Sequence, residues 1–243
     1  MSKLTRYLKR RNSFNCNSLI LLSGLHAVFI VVFHKVTAFA PDESNYIGVF
    51  KNLYRSDFSL DGYLGWQQGS VTVLRIMYLP AKFLELLGFS DFLAVRLLSV
   101  LYSLISLHLL LKLAPDARLL GKPVRFWLVI AYIFPTIFLW TSLGLRESFI
   151  FFSLISTFYL IARAETEKFA RTSVLLIMAG IVFYVSKTYL YLLFLTCIVT
   201  SALILWVMKK SIAPRQVKLL TFLLVPLLVF PSIVPIWQSL FQH

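Results

Sequence analysis

The chain has 243 residues, of which 59% are hydrophobic and only 14% charged, and it carries a formal net charge of +14. A soluble domain is closer to half apolar, and the excess here lies in long runs such as Leu19–Phe33, Phe149–Ile161 and Leu219–Phe230. That clustering excludes an ordinary soluble enzyme, and it leaves too little polar sequence for a separate water-soluble domain. The expected fold class is all-α: a polytopic transmembrane helix bundle of about seven spans, forming one integral membrane domain over 1–243.

The N-terminal tail is basic (Lys3, Arg6, Lys9, Arg10, Arg11) and leads into the first predicted span, 18–36. Ala38-Phe39-Ala40 resembles a signal-peptidase site, but Pro41 follows directly and His34 and Lys35 interrupt the approach, so the span is expected to stay uncleaved. A long loop, 37–91, comes next. Within it, Val71–Gly88 is apolar but contains Arg75, Lys82, Glu85 and Pro80. At about 100° per residue, Arg75, Tyr78, Lys82 and Glu85 share one wedge, the pattern of a helix lying in the interface.

Further spans are predicted at 92–113, 126–143, 148–162, 174–187, 188–208 and 219–235, since a helix rises ~1.5 Å per residue across ~30 Å of hydrocarbon. The fourth and fifth are short and are expected to be broken or to flank a thinned region. The last apolar stretch before 208 is divided at Ser186-Lys187-Thr188. Seven spans place the basic tail and the loops 112–125, 163–173 and 209–218 on one side, with two thirds of the Lys and Arg residues and only three acids (Asp116, Glu165, Glu167). By the positive-inside rule that side is cytoplasmic. The basic excess then faces anionic lipid, and no nucleic-acid partner is implied. Cys16 and Cys197 are too differently placed to suggest a disulfide, and no Cys/His cluster suggests a metal site.

Chemistry-bearing residues collect on the predicted outer face. Asp42-Glu43 follows the first span directly, where acids are costly unless they have a task or a partner. They read either as a catalytic pair or as a helix N-terminus with Asp42 as its cap. As neighbouring carboxylates they also fit a divalent cation, without defining a site. Arg146-Glu147 stands at a tight turn between two spans. It is either a boundary marker or, through the planar guanidinium, a phosphate clamp. Lys187, followed by Thr188 and Tyr189, either snorkels from a helix end or contacts a lipid-linked phosphate. Together these groups suit a reaction in which an acid activates an acceptor hydroxyl and cations stabilise a departing phosphate.

With Asp42-Glu43 opening a long outer loop after the first span, and Val71–Gly88 as an interfacial helix, the layout resembles the GT-C superfamily of membrane glycosyltransferases, including the protein O-mannosyltransferase and aminoarabinose transferase types. The resemblance covers most of the chain and implies a polyprenyl-phosphate or polyprenyl-diphosphate sugar as donor. It implies Asp42 as general base and Glu43 as its assistant or an acceptor-binding group. Arg146, Glu147, Lys187 and Tyr189 are added as substrate-binding residues from their position. Lys187-Thr188-Tyr189 also resembles, with a departure, the Arg-Pro-Tyr-like motif of polysaccharide-polymerase membrane proteins. Members of the GT-C family continue into more spans or a soluble domain, so a minimal, truncated or partner-dependent member is expected here. The expected location is the bacterial inner membrane, with no cofactor. The rival expectations are a non-catalytic subunit bound to a larger membrane protein of envelope-polysaccharide assembly, and a transporter or flippase for lipid-linked sugars.

Overall fold

A computed structural model describes residues 3–33, 42–59, 71–114, 118–119, 121–163 and 169–207. The described chain is mostly helical, as composition predicts. Its contacts divide it into two units, residues 1–55 with 77–152 and residues 56–76 with 153–243.

The first unit is organised around α4 (Asp91–Leu113), which packs against α1 (Lys3–Phe33), α2 (Glu43–Asn52), α5 (Val124–Ile133) and α6 (Pro135–Ser142). Ser90 caps α4, its hydroxyl accepting the Leu93 N–H at 3.3 Å. Between its charged ends α4 is predominantly apolar, as a helix enclosed by protein or lipid must be. Its buried face carries Ser99, Ser103 and Ser106, small side chains that let neighbouring backbones approach. One core joins Leu22 of α1, Leu107 and Leu111 of α4, and Val129 and Tyr132 of α5. At the other end of α4, the buried Arg125 donates to the carbonyls of Leu111 (3.3 Å) and Ala114 (3.2 Å), satisfying acceptors the helix end leaves open. Between α4 and α5 the chain forms a two-stranded antiparallel ribbon that sequence periodicity did not indicate, β1 (Arg118–Leu119) and β2 (Lys122–Pro123). Gly121 at its turn has φ 75°, a left-handed conformation that glycine adopts without steric cost.

Among the described residues two helical segments are long and apolar enough to cross a membrane, Ser13–Phe33 and Asp91–Leu113. A third is α5 and α6 taken together, but these meet at a 62° bend. The expected third span, 126–143, is therefore interrupted, whereas it was the fourth and fifth that were expected to be broken or to flank a thinned region. Pro135 supplies the reason. It has no N–H to donate to Ala131, and it holds Phe134 in an extended conformation (φ −56°, ψ 131°). The Phe134 N–H serves both Ile130 (2.9 Å) and Ala131 (3.3 Å). α6 is tied back to α1: His26 and Ser142 are hydrogen-bonded through Nδ1 and Oγ at 2.8 Å, and the His26 ring stacks on Phe138 at 4.6 Å. The Ser142 hydroxyl donates to the Phe138 carbonyl at 2.6 Å, so His26 Nδ1 carries the proton in the shared bond.

α3 (Val71–Leu86) forms a helix where an interfacial one was expected, runs on through Pro80 and lies beside α4, with the Tyr102 hydroxyl donating to the Met77 carbonyl at 2.9 Å. Its surface differs from expectation in one respect. Tyr78 is fully buried, with Leu74, Met77 and Ala81, while Arg75, Lys82 and Glu85 are half-buried along the edge of that face. The exposed side is apolar, made of Ile76, Leu79, Phe83 and Leu86. The charged wedge thus lies between a protein-facing side and an exposed apolar one.

In the second unit, α8 (Phe169–Ser186) and α9 (Thr188–Val207) pack on each other, and the break between them is at Lys187, where the sequence places it. Phe183 and Phe194 would be ~16 Å apart along a straight helix. Their rings are 5.7 Å apart, so the chain folds back here. The apolar segments of this pair, Val174–Val185 and Thr188–Val199, are shorter than the two clear spans. α7 (Glu147–Arg163) contributes to both units. The expected span 219–235 lies outside the described residues.

Ser142→Ala leaves the buried His26 Nδ1–H without its acceptor. It is expected to destabilise the protein by about 1–2 kcal/mol, read as a lower midpoint of denaturant unfolding in detergent. An unchanged midpoint would mean that this contact does not hold α6 to α1.

Candidate functional site

The site begins where the first unit draws four chain segments together. Glu43 is the first residue of α2 and is completely buried, and Arg96 of α4 is 1% exposed. Arg96 Nε and Nη2 donate to the two carboxylate oxygens at 2.8 and 3.0 Å, a bidentate pairing. Arg96 Nη1 donates to the carbonyl of Phe33 at the end of α1, at 2.9 Å. The Gly144 N–H, in the turn between α6 and α7, donates to Glu43 Oε1 at 3.1 Å. The guanidinium also stacks over the Phe92 ring at 4.3 Å. Each of the hydrogen bonds is charge-assisted, and those to Glu43 are buried.

Gly144 is required by space. A Cβ at this position would lie 2.8 Å from Val95 Cγ1, because the turn is pressed against α4. Beyond it, Arg146 is 8% exposed and its carbonyl accepts the Ile150 N–H, starting α7. Glu147 follows in the first turn, where a carboxylate favours the helix dipole.

Tyr46 lies one turn beyond Glu43 on α2 and is 3% exposed. Its phenol is hydrogen-bonded to the Arg146 guanidinium and sits in the field of Glu147 and Asp42. Burial, reinforced by those two acids and opposed by Arg146, pushes the Tyr46 hydroxyl up to about 12. Asp42 occupies the N-cap position, its carbonyl accepting the N–H groups of Asn45 (3.0 Å) and Tyr46 (3.1 Å). Its backbone is helical there (φ −78°, ψ −19°), so the side chain makes no capping bond. The carboxylate is exposed. The two acids that look alike in sequence therefore have different surroundings: Glu43 is locked in the interior, and Asp42 faces outward.

Of the residues expected to form one site, the structure brings Asp42, Arg146 and Glu147 together around Tyr46, with Glu43 behind them on Arg96. Lys187 and Tyr189 belong to the second unit. There the Lys187 ammonium lies over the Tyr189 ring at 5.0 Å, and Tyr189 is exposed. Sequence reading missed Arg96 and Tyr46. Arg96 had a signal, as the one charge within the apolar run between Asp91 and Lys112. Among the described residues no group of three or more His, Cys, Asp or Glu side chains is placed to hold a metal ion. Cys16 and Cys197 are exposed and form no disulfide.

Arg96→Met would leave the Glu43 charge buried and unpaired, and is expected to cost about 3–5 kcal/mol. The double variant Arg96→Met/Glu43→Gln should recover part of that loss, so equal losses in the two proteins would contradict a direct ion pair. The Tyr46 phenol should ionise near pH 12, read as the 295 nm absorbance step lost in Tyr46→Phe. Because its folded value lies above the ordinary one of ~10, the folded state keeps the proton longer, and stability falls as pH rises from about 10 towards 12. That component of the loss should be absent in Tyr46→Phe. No protein-family model, curated protein or solved structure matches this chain.

Proposed function

We propose that the chain is a membrane glycosyltransferase that moves a sugar from a polyprenyl-phosphate or polyprenyl-diphosphate donor to an acceptor hydroxyl at the outer face of a bacterial inner membrane. The observation that carries the reading is an exposed carboxylate, Asp42, and a buried guanidinium, Arg146, that both act on Tyr46, beside a framework fixed by Glu43 and Arg96. In this reading the Asp42 carboxylate takes the proton of the acceptor hydroxyl as its oxygen bonds to the anomeric carbon. The bond from that carbon to the donor phosphate oxygen breaks, and the phosphate leaves with the bonding electrons. Arg146 stabilises the charge that develops there.

Glu43 acts as a positioning residue, since its oxygens are engaged by Arg96 and Gly144. Tyr46 orients Arg146, and Glu147 adds a second carboxylate for acceptor hydroxyls. The reading includes seven spans with a cytoplasmic N-terminus, with α7, α8, α9 and 219–235 supplying the four beyond the two clear spans and the bent pair.

The purified chain, supplied with polyprenyl-phosphate sugars and a hydroxyl acceptor, should release polyprenyl phosphate. Asp42→Asn should lower turnover by roughly 10²–10⁴-fold, and Arg146→Gln by roughly 10²-fold, with folding intact in both. Transfer at the wild-type rate by Asp42→Asn would remove the assignment. Cysteines placed at 60 and 120 should label from opposite sides of the membrane, and labelling from one side would overturn the span count.

A further inference from the structure

α3 and α4 enclose an open apolar groove of about 590 Å³, within the size range of small-molecule sites. One wall is the oily side of α3 (Leu79, Phe83, Leu86) and the other is the first part of α4 (Leu97, Leu98, Leu101). The groove opens on an exposed apolar surface, suited to lipid: Leu79, Phe83, Leu86 and Leu101 are all substantially exposed. From the start of α4 at Asp91 to Leu101 is ten residues, or ~15 Å of helix. That is half of the ~30 Å hydrocarbon thickness, the depth of one leaflet. A single acyl chain, entering from the boundary and ending at the mid-plane, matches the groove.

The rim determines what such a chain is attached to. Lys82 is the one charged residue lining the groove, and it pairs with Glu85 at 2.5 Å. The two side chains are 31% and 32% exposed, so both remain reachable. The Lys82 ammonium is held at 5.8 Å over the rings of Phe50 and Tyr54, which fixes it at the groove mouth. A cation and an anion side by side match a headgroup that has both charges. A purely anionic headgroup would meet Glu85 unfavourably. A quaternary ammonium would give Glu85 no N–H donor.

We propose that the α3–α4 groove binds one phosphatidylethanolamine molecule, with an acyl chain between the two leucine-rich walls, the phosphate at Lys82 and the primary ammonium at Glu85. The site is separate from the Asp42–Arg146 cluster and does not depend on the transfer reaction.

The test uses the full chain, purified in detergent, delipidated and then offered an equimolar mixture of phosphatidylethanolamine, phosphatidylglycerol and phosphatidylcholine with identical acyl chains. Retained lipid is read by native mass spectrometry. Phosphatidylethanolamine should be retained over the other two. Glu85→Gln should reduce that preference roughly tenfold, the equivalent of one lost charge-assisted contact. Leu101→Trp, at an exposed position, should fill the groove and abolish retention of that lipid while leaving the helical circular dichroism unchanged. Equal or greater retention of phosphatidylglycerol overturns the proposal. So does a preference that survives Glu85→Gln, or retention unaffected by Leu101→Trp.

Discussion

The first unit depends on one electrostatic constraint, the carboxylate of Glu43 held by the guanidinium of Arg96. Removing both charges from water costs several kcal/mol per ion, and the structure offsets that cost by filling both groups' hydrogen-bonding positions. The pair alone would join α2 to α4. The added bonds to Phe33 and Gly144 extend the joint to the end of α1 and the turn before α7. Each of those backbone groups lies at a helix end, where the regular ladder supplies no partner. One ion pair thus closes two helix termini and fixes the register of four segments.

That constraint also explains why neighbouring acids diverge. Glu43 is on the side of α2 that faces α4, with Tyr46, Ile47 and Phe50. Asp42, one position earlier, points away from this side. The chemistry suggested for an Asp-Glu pair is then divided between them, with one acid holding the framework and the other presented to the surroundings. Tyr46 links the two levels, since it shares the buried side with Glu43 and meets Arg146.

Much of the fold was legible in the sequence. The division at Ser186-Lys187-Thr188 was visible because a lone cation with two hydroxyl residues interrupts an apolar run. The helix Val71–Leu86 was visible because its charges recur at helical spacing. What stayed hidden was set by long-range packing. Arg96 stayed out of the candidate site, because nothing local says that its partner is 53 residues away. Tyr78 was grouped with the charged wedge because periodicity gives a residue's angle around the helix, and a phenol at that angle fits either surface. The bend at Pro135 had a clear local cause, but an apolar run of sufficient length outweighed it in the span assignment. Of the candidate site, Asp42, Glu43, Arg146 and Glu147 were found from the boundary position of charged residues. Their different burial follows from the ion pair, and no sequence pattern expresses it.

The bend at Pro135 has a consequence for depth. The eight residues of α6 would advance ~12 Å if they continued the axis of α5. Turned through 62°, they advance only ~6 Å along that axis and carry the chain sideways for the remainder. The proline therefore acts as a depth stop for the guanidinium that follows eleven residues later, setting how far Arg146 stands from the start of α5. Moving the proline along this segment would raise or lower that charge relative to the membrane surface without altering any residue that touches it.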